Sequence, residues 1–281
     1  MPYSLKPVLK SKMWGGEKLK HLFNFESDLE NIGECWGISG YEESESVLLD
    51  GPYAGKTLSW LWKKRKDLFG HHESKEFPIL VKLIDAADDL SIQVHPDDAY
   101  AKKHENSFGK AECWYILDAD EKTEIIIGHK AKTYDEFKQY VEANKFEALV
   151  NQYPVQKGDT FHIEPGTIHA IKKGTVLLEI QQSSDVTYRF YDYDRLFNGE
   201  KRPLHLKEAM DVVKIPDDSL KRGLDTKYFH TDRITEPTRI DKHPYGHFLA
   251  VTEGEVTIND KEYPKGTFLV ATNEETLAVD G

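Results

Sequence analysis

The chain has 281 residues, 39% of them hydrophobic and 31% charged, which is enough to bury one large core or two smaller ones. No apolar run approaches the roughly 18 residues that a helical membrane span requires, so no membrane role is expected. A formal net charge of −12 argues against a general nucleic-acid surface, because phosphate backbones are bound by clustered lysine and arginine, but it leaves room for a small anion held by a few basic side chains in a cleft. The segment Met1-Pro-Tyr-Ser-Leu-Lys6 lacks the apolar core of a secretory signal, which predicts a cytoplasmic protein. Cys35 and Cys113 each stand beside a tryptophan and read as reduced thiols in apolar surroundings rather than as a disulfide.

In chain order, the first third shows turn signals at Gly15-Gly16 and Asp50-Gly51-Pro52, short apolar stretches and one helical pattern, Lys56 to Leu68. There Leu58, Leu61, Trp62 and Leu68 recur at helical spacing beneath a basic, solvated outer face. From Phe77 the texture changes to short segments rich in valine, isoleucine and aromatics: Ile79–Ile84, Ser91–Val94, Cys113–Leu117 and Glu124–Ile127. A second helical insertion, residues 132–152, begins at a capping box, Thr133-x-x-Glu136. Strands resume at Thr160–Ile163, Ile168–Ile171, Val176–Ile180 and Thr187–Tyr191, separated by glycine and proline turns, the pattern of an antiparallel barrel or sandwich.

After Tyr193 the chain is polar, then strand texture returns at Phe248–Val251, Glu255–Ile258, Thr267–Val270 and Leu277–Val279. This predicts two domains, 1–205 and 206–281. The phrase Lys265-Gly-Thr-Phe268 echoes Lys157-Gly-Asp-Thr-Phe161, a weak internal repeat whose second copy lacks histidine. The chain ends soon after Val279, so a final strand of the second domain is expected to be missing.

Chemistry concentrates in the first domain. Gln93 and His95 stand two apart on a predicted strand, so their side chains share a face. Glu112 opens the next strand and His169 follows a Pro-Gly turn. Two histidines, a carboxylate and an amide oxygen suit zinc or another borderline divalent ion, with a position left open. Spacing alone does not prove this, since a histidine on a strand is more often packed or solvent-facing than metal-bound.

The strings Ser91-Ile-Gln-Val-His-Pro96, Gly109-Lys-Ala-Glu112, Pro165-Gly-Thr-Ile-His-Ala170 and Glu179-Ile-Gln-Gln-Ser-Ser-Asp-Val-Thr-Tyr-Arg189 occur in the order found in type I mannose-6-phosphate isomerases, and the chain resembles their short bacterial form. Trp14-Gly15-Gly16 and Glu34-Cys-Trp-Gly-Ile-Ser39 add weaker support. The resemblance implies a mainly β, cupin-type jelly roll with helical insertions and a smaller cupin-like C-terminal domain. It implies one zinc per chain on Gln93, His95, Glu112 and His169, with Arg189 as the active-site arginine and Lys110 in the site.

It also implies an aldose–ketose isomerisation of a sugar phosphate through an enediol. Zinc would serve as the Lewis acid, and Arg189 as a positive charge beside the developing oxyanion or a clamp on the substrate. The proton-transfer group stays open among Glu179, Asp185 and Lys110. Ser91, Arg189 and Arg195 are the phosphate candidates and Trp14 a further substrate contact. Arg195 stands where longer relatives carry a lysine, and a structural pairing with Asp192 or Asp194 competes with that role. Ile171 replaces a tyrosine of the longer relatives. The expected partner is a small sugar phosphate, with no nucleic acid and no membrane, for a monomer or homodimer. A different metal-dependent cupin such as an iron oxygenase, or a non-catalytic sugar-binding cupin, is the alternative.

Overall fold

Strands with apolar side chains on both faces have to be covered on both, and the predicted strands from Ile79 onward are of this kind. The computed structural model of the chain describes residues 1–197, 199–217 and 220–280. A six-stranded antiparallel sheet runs in the order Thr160–Ile163, Glu112–Ala119, Thr175–Gln182, Ile79–Asp85, Ile32–Ser39 and Val8–Gly16. A five-stranded sheet runs Tyr188–Tyr191, Ile92–Val94, His169–Ile171, Glu124–His129 and Val150–Pro154. Between the two sheets lies a core that includes Ile84, Trp114, Ile127, Phe161 and Leu177, which makes the expected jelly-roll sandwich.

The outer faces are covered too. Cys35, Val81, Leu83 and Leu178 pack against Leu61, Trp62 and Phe69, and Val94, Ala170 and Phe190 pack against Phe137, Phe146 and Ala209. Each fully buried side chain of this size contributes about 2 kcal/mol relative to exposure. Both cysteines are buried and unbridged, and burial pushes their thiols up, that of Cys113 to about 12.

The helical patterns are shorter than the sequence suggests. The pattern over 56–68 forms the helix Leu58–Lys64, capped by the Thr57 hydroxyl accepting from Trp60 N at 3.2 Å, and a separate 3₁₀ turn, Lys66–Phe69. Arg65 between them leaves the helical region. The insertion over 132–152 starts at the predicted cap, Thr133, and yields helices Tyr134–Glu142 and Phe146–Leu149. Asn144 at φ 54° ends the first of these. Val150–Pro154 then becomes an edge strand on Glu124–His129, because the backbone of that neighbour has to be paired.

Two long strands of the first third, Val8–Gly16 and Ile32–Ser39, were not separable from turns in the sequence. Their glycines permit close approach: a Cβ on Gly15 would stand 2.1 Å from the Asn31 carbonyl oxygen, and one on Gly37 would stand 2.1 Å from the Phe268 ring.

The C-terminal strands form two further sheets. His247–Ala250 and Phe268–Ala271 pair with the N-terminal strand Tyr3–Lys6 and with Val47–Leu48, while Thr238–Ile240, Leu277–Asp280, Glu255–Ile258 and Lys261–Pro264 make the other. Their shared core includes Val251, Ile258, Tyr263, Leu269 and Leu277. The two Lys-Gly phrases are turns of one kind, with Gly158 at φ 92° and Gly266 at φ 90°, each leading into a strand. The elements do not divide cleanly after residue 205. The helix Leu206–Val212 packs on the first unit through Ala209, and Tyr3–Lys6 is hydrogen-bonded into the second.

Candidate metal centre and active site

Strand register brings three of the predicted site residues into one row. Gln93 is paired with His169 on one side and with Arg189 on the other, so their side chains leave the five-stranded sheet from the same face. Glu112 faces them from the first residue of its strand in the opposite sheet. His95 Nε2 lies 3.1 Å from His169 Nε2 and 3.3 Å from Glu112 Oε1, and His169 Nε2 lies 3.6 Å from Glu112 Oε2. Ligand atoms of His95, Glu112 and His169 all fall within 4.8 Å of one another, and all three residues are buried.

The protonation pattern suits a cation. His95 Nδ1 donates to the Val186 carbonyl at 2.8 Å and His169 Nδ1 donates to the Thr167 carbonyl at 2.9 Å, so both Nε2 lone pairs converge. Burial, then the Lys110 ammonium, pushes His95 down to about 3, and burial also lowers His169, which keeps both rings in the neutral, ligating form. Burial opposes ionisation of Glu112, but the Lys110 ammonium together with His95 and His169 outweighs it and holds the carboxyl well below the usual range. Glu112 Oε2 has no hydrogen-bond partner among the described residues although it is buried.

Two facing lone pairs and an orphaned carboxylate oxygen are what a divalent ion would satisfy. The Lys110 ammonium already supplies part of that charge, donating to His95 Nε2 at 3.0 Å and to Glu112 Oε1. The Gln93 amide stands 3.4 Å from His169 Nε2 through its nitrogen, and a half-turn of the amide presents its oxygen instead.

Beside this cluster lies a row of which the sequence singled out only Glu179. Trp36, Lys82, Glu179 and Trp114 are in register across four strands of the six-stranded sheet. Lys82 pairs with Glu179 at 3.2 Å, Trp114 Nε1 donates to Glu179 Oε1 at 3.3 Å, and the Trp114 ring meets His169 edge to face at 5.5 Å. Burial works against the charge on Lys82, yet Glu179 and Glu34 outweigh it and keep the lysine protonated. Burial, followed by the charge of Glu112, raises the Glu179 carboxyl. Lys82 was legible as the one charge inside the otherwise apolar run Ile79–Ile84, but nothing in the sequence said which carboxylate it meets.

The other expected residues spread out. Arg189 is half-buried, donates from Nη1 to the Pro203 carbonyl at 2.9 Å and has an Nε with no partner among the described residues. Asp185 is exposed, and its charge acts on Lys10, Tyr41 and Lys82. Ser91 is buried two residues before Gln93.

Arg195 is committed elsewhere: its Nη2 donates to Asp192 at 2.7 Å, while Nη1 serves Asp88 at 3.1 Å and the Asp89 carbonyl at 2.6 Å, with Arg202 closing the same clamp on Asp192. That leaves little of its donor fork for a phosphate. Trp14 is 5% exposed and packs in the inter-sheet core against Gly33.

The family model for the phosphomannose isomerase type I catalytic domain matches residues 3–142. The chain is 49% identical over 217 residues to a Bacillus subtilis protein named probable mannose-6-phosphate isomerase GmuF, spanning 76% of this chain and 69% of that protein. It is 46% identical over 215 residues to the mannose-6-phosphate isomerase of Streptococcus mutans, spanning 76% and 68%. The crystal structure of mannose 6-phosphate isomerase from Bacillus subtilis superposes with a TM-score of 0.90 at 35% identity, covering 100% of this chain and 96% of that one. A jelly roll with a buried His-Glu-His set, 49% identical to a relative of that name, places this chain in the type I phosphomannose isomerase family.

Proposed function

We propose that the protein interconverts mannose 6-phosphate and fructose 6-phosphate through an enediol, with one zinc ion held by Gln93, His95, Glu112 and His169. The observation that carries the reading is the convergence of two Nε2 lone pairs and an unpartnered Glu112 oxygen beside the Gln93–His169–Arg189 row. A metal there supplies Lewis acidity to the sugar carbonyl, worth several kcal/mol of charge stabilisation.

The protein's own groups do the rest. Arg189 keeps its charge at neutral pH and has a free Nε to offer a developing oxyanion. Lys110, released from Glu112 and His95 once the ligands hold a metal, presents an ammonium to the substrate hydroxyls. Glu179 has a raised carboxyl pKa and an ammonium partner in Lys82, which suits a group that takes and returns a proton, and the exposed Asp185 is the second candidate. Ser91, buried two residues before Gln93, is assigned to the substrate. The C-terminal strands form a supporting unit, with the division near residue 205 softened by the helix Leu206–Val212 and by the strand Tyr3–Lys6. No helix among the described residues is long and apolar enough to cross a membrane, in keeping with the cytoplasmic assignment we favour.

The test is a coupled assay of mannose 6-phosphate conversion before chelation, after it, and with zinc, cobalt or manganese restored. Metal-dependent turnover is expected, with zinc effective. Folded, metal-replete protein that leaves mannose 6-phosphate untouched would sink the reading. Arg189→Ala should retain metal and lose most turnover, and near-normal activity would remove Arg189 from the chemistry.

A further inference from the structure

Four lysines project from the inward side of the six-stranded sheet and its approach. Lys10 and Lys12 alternate with Leu9, which packs on the outer core, and Lys82 alternates with the outward Val81 and Leu83, so all three project inward. Three of the four ammonium groups have a carboxylate: Lys12 on Glu34 at 3.0 Å, Lys82 on Glu179 at 3.2 Å and Lys110 on Glu112. Lys10 has none among the described residues. Its ammonium stands 3.4 Å from the centroid of the Trp36 ring, and burial pushes its pKa down.

The indole is itself fixed. Trp36 Nε1 donates to Glu34 Oε2 at 2.8 Å, and Lys82 lies 4.9 Å from the same ring centroid. The other charged groups that face Lys10 are Glu34, Lys12, Asp185 and Lys82. From Trp114, which touches His169, the row through Glu179 and Lys82 to Trp36 takes three inter-strand steps of about 4.8 Å each. Lys10 therefore lies on the ligand-facing side, at the end of the row remote from the metal ligands.

We propose that Lys10, seated on Trp36, holds the phosphate of the sugar substrate; this rests on the isomerase reading above and deepens it. A phosphate monoester carries about −1.5 to −2 charges near neutral pH and has to be met by cations that are not already neutralised. In a chain of net charge −12 the carboxylate-paired lysines do not provide that, whereas an ammonium lying on an aromatic face is positive, partly desolvated and free to bond an anion. The reacting end of the sugar then meets His95, Glu112 and His169, and the phosphate end meets the first strand. The competing role for Lys10 is to shield the indole with its aliphatic stem.

Calorimetric titration of the metal-loaded full chain with a hexitol 6-phosphate and with the unphosphorylated hexitol separates the two roles. Lys10→Met should weaken the hexitol phosphate roughly tenfold or more and leave the hexitol unchanged. The KM for mannose 6-phosphate should rise by a similar factor with kcat held within about twofold, and Lys10→Arg should restore most of the loss. Unchanged affinity of Lys10→Met for the hexitol phosphate, or equal losses for both polyols with a lowered thermal midpoint, overturns the proposal while the isomerase reading stands. A wild-type protein that binds no hexitol phosphate and turns over no mannose 6-phosphate removes both.

Discussion

The two β units solve one packing problem with opposite interiors. In the C-terminal unit the space between the sheets is filled by Val251, Ile258, Tyr263, Leu269 and Leu277. In the larger unit part of the equivalent space is given to His95, Lys110, Glu112, His169, Lys82 and Glu179, all buried. Both use a Lys-Gly turn to launch a strand, Thr160–Ile163 in one and Phe268–Ala271 in the other. The scaffold is thus indifferent to what it encloses, and chemistry resides in the inward-facing positions. A polar interior is costly, because each buried charge forfeits several kcal/mol of hydration, and the larger unit offsets this with apolar layers on both outer faces.

That contrast can be broken most sharply at Glu112. Glu112→Gln preserves the shape and removes the charge that the two histidine lone pairs need, so metal content should collapse and turnover should fall about 10³-fold, equivalent to several kcal/mol of lost charge stabilisation. Metal analysis beside the coupled assay checks both, and a metal-replete, active variant would take Glu112 out of the ligand set.

Next in size is the Lys82–Glu179 pair. Lys82→Met alone should cost about 4 kcal/mol in denaturant unfolding by leaving Glu179 buried without its ammonium. The double change Lys82→Met with Glu179→Leu, which makes this face resemble the C-terminal interior, should recover most of that stability and no activity. If the single variant is as stable as the parent, the buried pair is not a burden on the fold.

Glu34 gives a pH signature. Burial resists its charge, but Lys82 and Lys12 prevail and lower the carboxyl from 4.5 to about 2. A depressed acid stabilises the fold fully above its unfolded pKa, so about 3 kcal/mol should be present above pH 4.5 and drain away as the pH falls towards 2. Glu34→Gln should flatten that part of the stability profile, and an unchanged profile would show that Glu34 contributes no such linkage. The smallest effect sharpens the contrast from the other side. Ile258→Val in the C-terminal core should cost about 1 kcal/mol and leave kcat/KM unaltered, and an altered kcat/KM would tie that core to the chemistry.

Much of the strand and cap pattern was readable along the chain. Thr160–Ile163 and Glu255–Ile258 have the strand bounds their alternation predicts, and Thr133 caps its helix as the capping box requires. The clustering of His95, Glu112 and His169 was legible in the strings that resemble a known family, as was the placing of Gln93 two residues before His95. The early strands Val8–Gly16 and Ile32–Ser39 were obscured by glycines whose reason is a distant contact, such as Gly37 under Phe268. The helix over 56–68 was overextended because periodicity reports a face and not the backbone break at Arg65.

The sequence by itself determined which residue types can ligate, where strands alternate and where the turns fall, since these follow from local sterics and side-chain period. Tertiary structure decided which charges meet. It placed Arg195 on Asp192 and Asp88, set Lys82 against Glu179, buried Trp14 in the core, seated Lys10 on the Trp36 ring and paired the first strand with Phe268–Ala271. Those outcomes rest on cross-strand register between segments far apart in the chain, and register is fixed only when whole sheets have buried their faces together.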